Sequence, residues 1–102
     1  MADFPKLNGV EHEILRLLSG KRDMYGLEMV KASQLIKRGT VYVVLNRMED
    51  KGWIKSRPDE TPADHSGMPR RIYSIAAPGV VALHAVEAAG AVSSAYAAVN
   101  GA

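Results

Sequence analysis

A mainly α, α+β fold with a single β-hairpin is predicted by three observations on this 102-residue chain. Apolar residues recur at helical spacing through the first half. Two short β-favouring runs then flank a loop holding Pro58, Pro62, Gly67 and Pro69, and the last quarter is Ala-rich and nearly uncharged. A chain of this length buries roughly 60–70% of the surface its unfolded form exposes, so burial supplied by a second subunit matters. With no cysteine, disulfide frameworks and thiolate metal or redox motifs are excluded, and a reducing cytoplasm is the expected location.

The first helix starts near Asn8, whose side chain suits an N-cap with Glu11 reaching back from three residues on. Val10, Ile14, Leu17 and Leu18 then form one face, and Leu15 lies on a second, so this helix is covered from two sides. Asp23 is a candidate cap for a second helix over about 24–33. A few residues lead into a third over about 38–51, ended by Gly52. Two helices joined by so short a turn outline a helix-turn-helix. Residues 53–57 read as a short strand, 58–69 as a loop and 70–75 as the return strand. Together these make a winged helix. One long helix follows over about 78–99, with Pro78 tolerated in its first turn. The expected division is therefore a DNA-binding unit at 1–76 and a dimerisation helix at 77–102.

The formal charge of +2 is unevenly spread. Residues 31–57 hold seven cations, Lys31, Lys37, Arg38, Arg47, Lys51, Lys55 and Arg57, against Glu49 and Asp50, a net of +5. Such a segment seeks a polyanion. Residues 76–102 hold Glu87 alone, yet they are too rich in Ala, Gly and polar residues to cross a membrane. The first residues lack the basic start and apolar stretch of a signal peptide.

Projected at 100° per residue, the third helix turns Val41, Val44, Leu45 and Met48 inward. Gly39, Tyr42, Val43, Asn46 and Arg47 face outward from the part that enters a major groove in helix-turn-helix proteins. Asn bonds adenine bidentately, Arg bonds guanine or phosphate, and Val meets a thymine methyl group. Gly39 admits a phosphate to the backbone, and Lys37 and Arg38 precede the helix as phosphate candidates. Bland readings stand beside these: Arg47 pairing with Asp50, and Tyr42 as semi-buried packing. In the hairpin, Lys55, Arg57, Arg70 and Arg71 are expected to cluster at the loop's base and reach DNA backbone there, with the acidic tip held away.

Five segments, Tyr25-Gly26-Leu27-Glu28, Gly39-Thr40-Val41-Tyr42, Leu45-Asn46-Arg47-Met48-Glu49, Gly52-Trp53-Ile54 and Arg71-Ile72-Tyr73-Ser74-Ile75 with Gly79, resemble the PadR family of bacterial transcriptional regulators in order and spacing. The resemblance spans about residues 10–90 and suggests the short form with one C-terminal helix. It implies a dimeric winged-helix protein, usually a repressor, whose final helix builds the dimer. It further implies a small aromatic or lipophilic effector bound between subunits, and it sets Tyr25, Thr40, Tyr42 and Arg47 at or near the DNA surface. Two departures stand out: Lys37 replaces a hydroxyl residue that caps the third helix, and Ala76 replaces a Thr that caps the last. The first loses a cap worth about 1 kcal/mol but adds a phosphate-seeking charge.

The last helix carries small residues in two rows, Ala82, Val86, Gly90, Ser94 and Ala98 beside Ala85, Ala89, Ser93 and Ala97. Such rows let helices approach closely. A dimer contact is expected through Leu15, Ala82, Val86, Ala89, Gly90, Ser93 and Ala97, against the alternative of an Ala-rich helix on the domain's own surface. Large aromatics for a ligand pocket are limited to Trp53, better read as core, and Tyr96.

Catalysis finds little support. His12-Glu13 lacks a second zinc-ligating His, Asp64-His65-Ser66 sits in the loop, and no phosphate-binding Gly-rich loop is present. No cofactor is expected. The sequence therefore predicts a homodimeric regulator that binds double-stranded DNA at a pseudo-palindromic operator, repressing in response to an effector. The alternative is a winged-helix protein-interaction module without sequence-specific DNA binding. The two differ in whether the paired third helices are exposed on one side about 34 Å apart.

Overall fold

The computed structural model describes residues 7–21, 23–59 and 70–99, with side chains for all of these except 21 and 90–99. The elements run α1 (Gly9–Lys21), β1 (Asp23–Tyr25), α2 (Gly26–Ala32), α3 (Val41–Asp50), β2 (Ile54–Pro58), β3 (Arg71–Ile75) and α4 (Ala77–Val99). This is the expected α+β winged helix, with a third strand added. The sheet order is β1-β3-β2, antiparallel throughout.

Helix α1 opens with the predicted capping box. The Asn8 N–H donates to Glu11 Oε1 at 3.0 Å, and the Glu11 N–H donates to Asn8 Oδ1 at 2.8 Å. Asp23 does not cap a second helix. It lies in β1, which pairs Asp23 with Ser74, Met24 with Tyr73 and Tyr25 with Ile72, and α2 begins only at Gly26. A three-residue strand has no periodicity of its own, and pairing to a distant segment is what defines it. Helix α3 begins at Val41 rather than near 38, because the Lys37 carbonyl accepts the N–H groups of both Thr40 and Val41 and closes a turn. It ends in a Schellman motif: Gly52 donates to the Glu49 carbonyl and Trp53 to that of Met48, with Gly52 at φ +79°.

The core gathers Ile14, Leu15 and Leu18 of α1, Met24, Met29 and Ile36, Val41, Leu45 and Met48 of α3, Ile54 and Tyr73 of the sheet, and Ala82 and Leu83 of α4. Val44 and Trp53 pack at its edge. Two residues expected at a dimer contact belong here instead. Leu15 is 0% and Ala82 1% exposed in the single chain, so neither has surface left for a partner. The second apolar face of α1 is covered by the chain's own α4, and α1 packs with Leu15 near its buried centre rather than Leu17.

The start of α4 seats on the end of α3. The Ala76 N–H donates to the Trp53 carbonyl at 2.9 Å, and a Cβ built on Gly79 would lie 2.0 Å from that same oxygen. This contact, rather than a side-chain cap at Ala76, fixes where α4 begins. No helix among the described residues is long and apolar enough to cross a membrane.

Candidate nucleic-acid interface

Helix α3 divides by period into two halves. Val41, Leu45 and Met48 are buried, whereas Tyr42, Val43, Asn46 and Arg47 are exposed. Val43 is 53% exposed, an apolar side chain with little packing role. Lys37, Arg38, Gly39 and Thr40 are exposed in the turn leading into it. Arg47 makes no ion pair with Asp50; the ion pairs among described residues are Arg16–Glu13, Lys51–Glu11 and Arg57–Asp23. Arg47 thus remains available to an anion.

Tyr42 is both exposed and packed. Its side chain is 47% exposed, yet a Cβ on Gly26 would come within 2.8 Å of its Cε1 atom. Glycine at the start of α2 lets the ring lie against that backbone, which sets the angle between the two helices. The same end of α2 is fixed by Glu28, whose carboxylate accepts the Tyr25 N–H at 2.8 Å.

The sheet separates the four wing cations that the sequence groups together. Side chains alternate along β2 and β3, and the register pairs Lys55 with Ser74 and Arg57 with Ile72, so Lys55 and Arg57 share the outer face with Asp23 and Tyr25. Arg71 lies on the opposite face, among residues that meet α3. Its guanidinium donates to Ser56 Oγ at 3.1 and 2.9 Å, and that hydroxyl donates to Glu49 at 2.8 Å. This relay ties the wing to α3. Tyr73, buried beside it, is pushed above the ordinary tyrosine range, chiefly by burial and then by the Glu49 charge.

On the outer face, Arg57 pairs with Asp23 at 2.9 Å. Beyond it, the Tyr25 hydroxyl donates to Asp59, and the Arg70 guanidinium lies 5.2 Å from the Tyr25 ring centroid. Lys55, Ser56, Arg57 and Ser74 line an open cleft of ≈310 Å³. The sequence suggests Asp23 as a helix cap and Asp59 as part of the acidic loop tip; the strand register instead sets both beside donors at the base of the wing.

The remaining titratable candidates serve structure. Glu13 accepts from Arg16 and from the Ser33 hydroxyl, both at 2.6 Å, and these two bonds, Arg16 first, hold its carboxyl below the ordinary range. Among the described residues, no three His, Asp or Glu side chains stand close enough to hold a metal ion. Asp64, His65 and Ser66 lie outside the described residues, as do the side chains of Gly90, Ser93, Tyr96 and Ala97.

Comparison with solved structures finds the same fold in several bacterial regulators. A PadR family transcription regulator from Clostridium difficile superposes with a TM-score of 0.74 at 28% identity, over 88% of this chain and 95% of that one. A PadR family transcriptional regulator from Eggerthella lenta gives 0.63 at 28% identity, over 78% and 71%. A transcriptional regulator from Clostridium thermocellum gives 0.61 at 28% identity, over 89% of each chain. No curated protein sequence matches. The profile of the transcriptional regulator PadR-like family matches residues 14–85, most of the winged helix and the first part of α4. With the exposed outer face of α3 and the wing both in place, the chain belongs to the PadR-like family of transcriptional regulators.

Proposed function

We propose that this regulator is a homodimeric repressor that reads a pseudo-palindromic operator with one copy of α3 in each of two major grooves. The observation that carries the reading is the outer half of α3. Tyr42, Val43, Asn46 and Arg47 stand exposed together, and Arg47 is spared the internal pairing that would neutralise it. Asn46 and Arg47 supply base contacts, and Val43 offers a methyl-reading surface. Lys37 and Arg38, with Gly39 and Thr40, meet phosphates at the helix entrance. Tyr25, Lys55, Arg57, Arg70 and Arg71 extend the backbone contact along the wing. Residues 1–76 form the reading unit and 77–102 the dimerisation helix.

Because Leu15 and Ala82 are consumed by the chain's own core, the dimer contact falls further along α4, where Val86 and Ala89 continue the small-residue rows towards Gly90, Ser93 and Ala97. A 23-residue helix spans about 35 Å at 1.5 Å per residue, long enough to lie across a second copy. A small aromatic or lipophilic effector between subunits, and the sense of regulation as repression, rest on the family resemblance. A cytoplasmic site of action accords with the cysteine-free composition.

The test is selection of duplexes from a randomised pool followed by titration at several salt concentrations. One enriched palindromic motif, bound by a protein that sediments as a dimer, is the expected result. Failure to enrich any motif at low salt overturns the proposal and leaves the winged helix as a protein-interaction module. A reporter carrying the selected motif then separates repression from activation, and a melting-temperature screen with aromatic and lipophilic compounds finds the effector.

A further inference from the structure

On the outer face of the wing, one cation and one hydroxyl are already engaged by acids of the same chain. Asp23 holds the Arg57 guanidinium at 2.9 Å. Asp59 accepts the Tyr25 hydroxyl, and Arg70 lies against the ring of that tyrosine, 5.2 Å from its centroid. The Asp59 N–H also donates to the Arg70 carbonyl at 2.7 Å, so the strand ladder itself carries Asp59 to this position. Arg, Lys and Tyr hydroxyl groups are the donors proteins use on DNA phosphates, and a carboxylate is chemically the nearest internal substitute for a phosphate oxygen.

We propose that Asp23 and Asp59 are internal substitutes for DNA phosphates. They occupy the phosphate-binding donors of the wing in the free protein and are displaced when duplex binds. Binding thus exchanges carboxylate for phosphate at Arg57 and at the Tyr25 hydroxyl, beside which the Arg70 guanidinium lies, and the two acids set the affinity by opposing it. The inference rests on the wing being part of the DNA interface. It contrasts with α3, where Arg47 has no such competitor. The two acids differ in strength. Arg57 and Asp23 have side chains 57% and 41% exposed, so solvent screens that pair and its competition is weak. The Tyr25–Asp59 bond is part-buried and costs more to break.

The experiment measures affinity for a duplex that the unmodified protein itself selects from a randomised pool. It compares the wild type with Asp59→Asn, Asp23→Asn and, as a control for simple loss of negative charge, Asp50→Asn at the far end of α3. Asp59→Asn is expected to bind about tenfold tighter and Asp23→Asn about two- to fivefold tighter, each beyond the Asp50→Asn effect. The gain from Asp59→Asn must fall to that of Asp50→Asn in an Arg70→Met, Tyr25→Phe background, which lacks the Tyr25 hydroxyl and the Arg70 guanidinium. Unchanged or weaker binding by Asp59→Asn overturns the proposal and makes the acid a positioning group. A gain equal to that of Asp50→Asn, or one that persists in the background lacking Arg70 and the Tyr25 hydroxyl, overturns it as well. The interface reading fails separately, if Arg57→Met and Arg70→Met leave the affinity of the selected duplex unchanged. Thermal melts of each variant confirm that it is folded, and Tyr25→Phe, which retains the ring, provides an independent release of Asp59.

Discussion

Replacing Gly79 by alanine sets two well-founded expectations against each other. Alanine favours helix over glycine by roughly 0.5–1 kcal/mol, so propensity alone predicts a small gain in stability at this position in the first turn of α4. The packing predicts the reverse. The added Cβ would stand 2.0 Å from the Trp53 carbonyl oxygen, 2.9 Å from its carbon and 3.0 Å from a side-chain carbon of Ile75. Relief needs a backbone shift of about 1 Å, and neither backbone is free to make it. The Trp53 carbonyl accepts the Ala76 N–H at 2.9 Å, while the Trp53 N–H closes the end of α3 on Met48. Either that pair of hydrogen bonds stretches or α4 lifts from Leu15 and Leu18.

Overpacking costs about 1–3 kcal/mol and a weakened hydrogen bond about 1 more, so after the propensity gain a net loss of about 1–3.5 kcal/mol is expected. For a domain of this size that lowers Tm by about 5–25 °C. Urea unfolding followed by circular dichroism at one fixed protein concentration measures it, since a dimer's stability depends on concentration. Gly20→Ala in α1 is the control: nothing lies within 4 Å of its Cβ, and it should stabilise by a few tenths of a kcal/mol. If Gly79→Ala is as stable as the wild type while Gly20→Ala behaves as stated, the close seating of α4 on Trp53 is refuted.

Gly52→Ala, forced into φ +79°, should cost about 1–2 kcal/mol by the same unfolding assay. Arg47→Ala and Asn46→Ala should each lose about 1–3 kcal/mol of duplex affinity and relax selectivity at particular operator positions, whereas Lys37→Ala should weaken all duplexes alike and flatten the salt dependence, as gel shifts over a salt series will show. The Glu13 carboxyl is held below its ordinary value of 4.5 by Arg16 and Ser33. Its contribution to stability is therefore full above that value and is lost as pH falls through the lowered one, so unfolding free energy measured from pH 6 downward should fall less steeply in Glu13→Gln.

Local rules fixed much of this architecture in advance. Asn8 and Glu11 lie three residues apart and cap each other, Gly52 ends α3, and Val41, Leu45 and Met48 share a face by period alone. What sequence could not show was set by distant partners. Strand β1 exists because β3 runs beside it, and Leu15 is core because α4 of the same chain folds over it. The wing cations were right as a set of exposed residues, but the strand register divides them, sending Arg71 to the α3 side and leaving Lys55 and Arg57 outside. A one-residue difference in register would have exchanged these faces, and no local signal encodes that.

The positions of the glycines connect stability with the reading surface. Helix α3 gives only Val41, Leu45 and Met48 to the fully buried core and leaves Tyr42, Val43, Asn46 and Arg47 in solvent, so its own burial does little to fix its direction. Backbone contacts at its two ends supply that constraint. At the N-terminal end the Tyr42 ring lies on Gly26, and at the C-terminal end the turn through Gly52 leads to the Trp53 carbonyl on which Gly79 rests. Atoms packed against bare backbone leave little room for rotation, because no Cβ holds the two elements apart. On the proposed function, a helix that presents Asn46 and Arg47 to base edges needs its orientation held to within a fraction of an ångström. Glycine at 26 and 79 allows that precision while Arg47 keeps no ion-pair partner among the described residues. Enlarging Gly26 should therefore reduce DNA affinity by more than its effect on stability explains, since Tyr42 can swing aside and spare the fold while shifting the surface it helps to form.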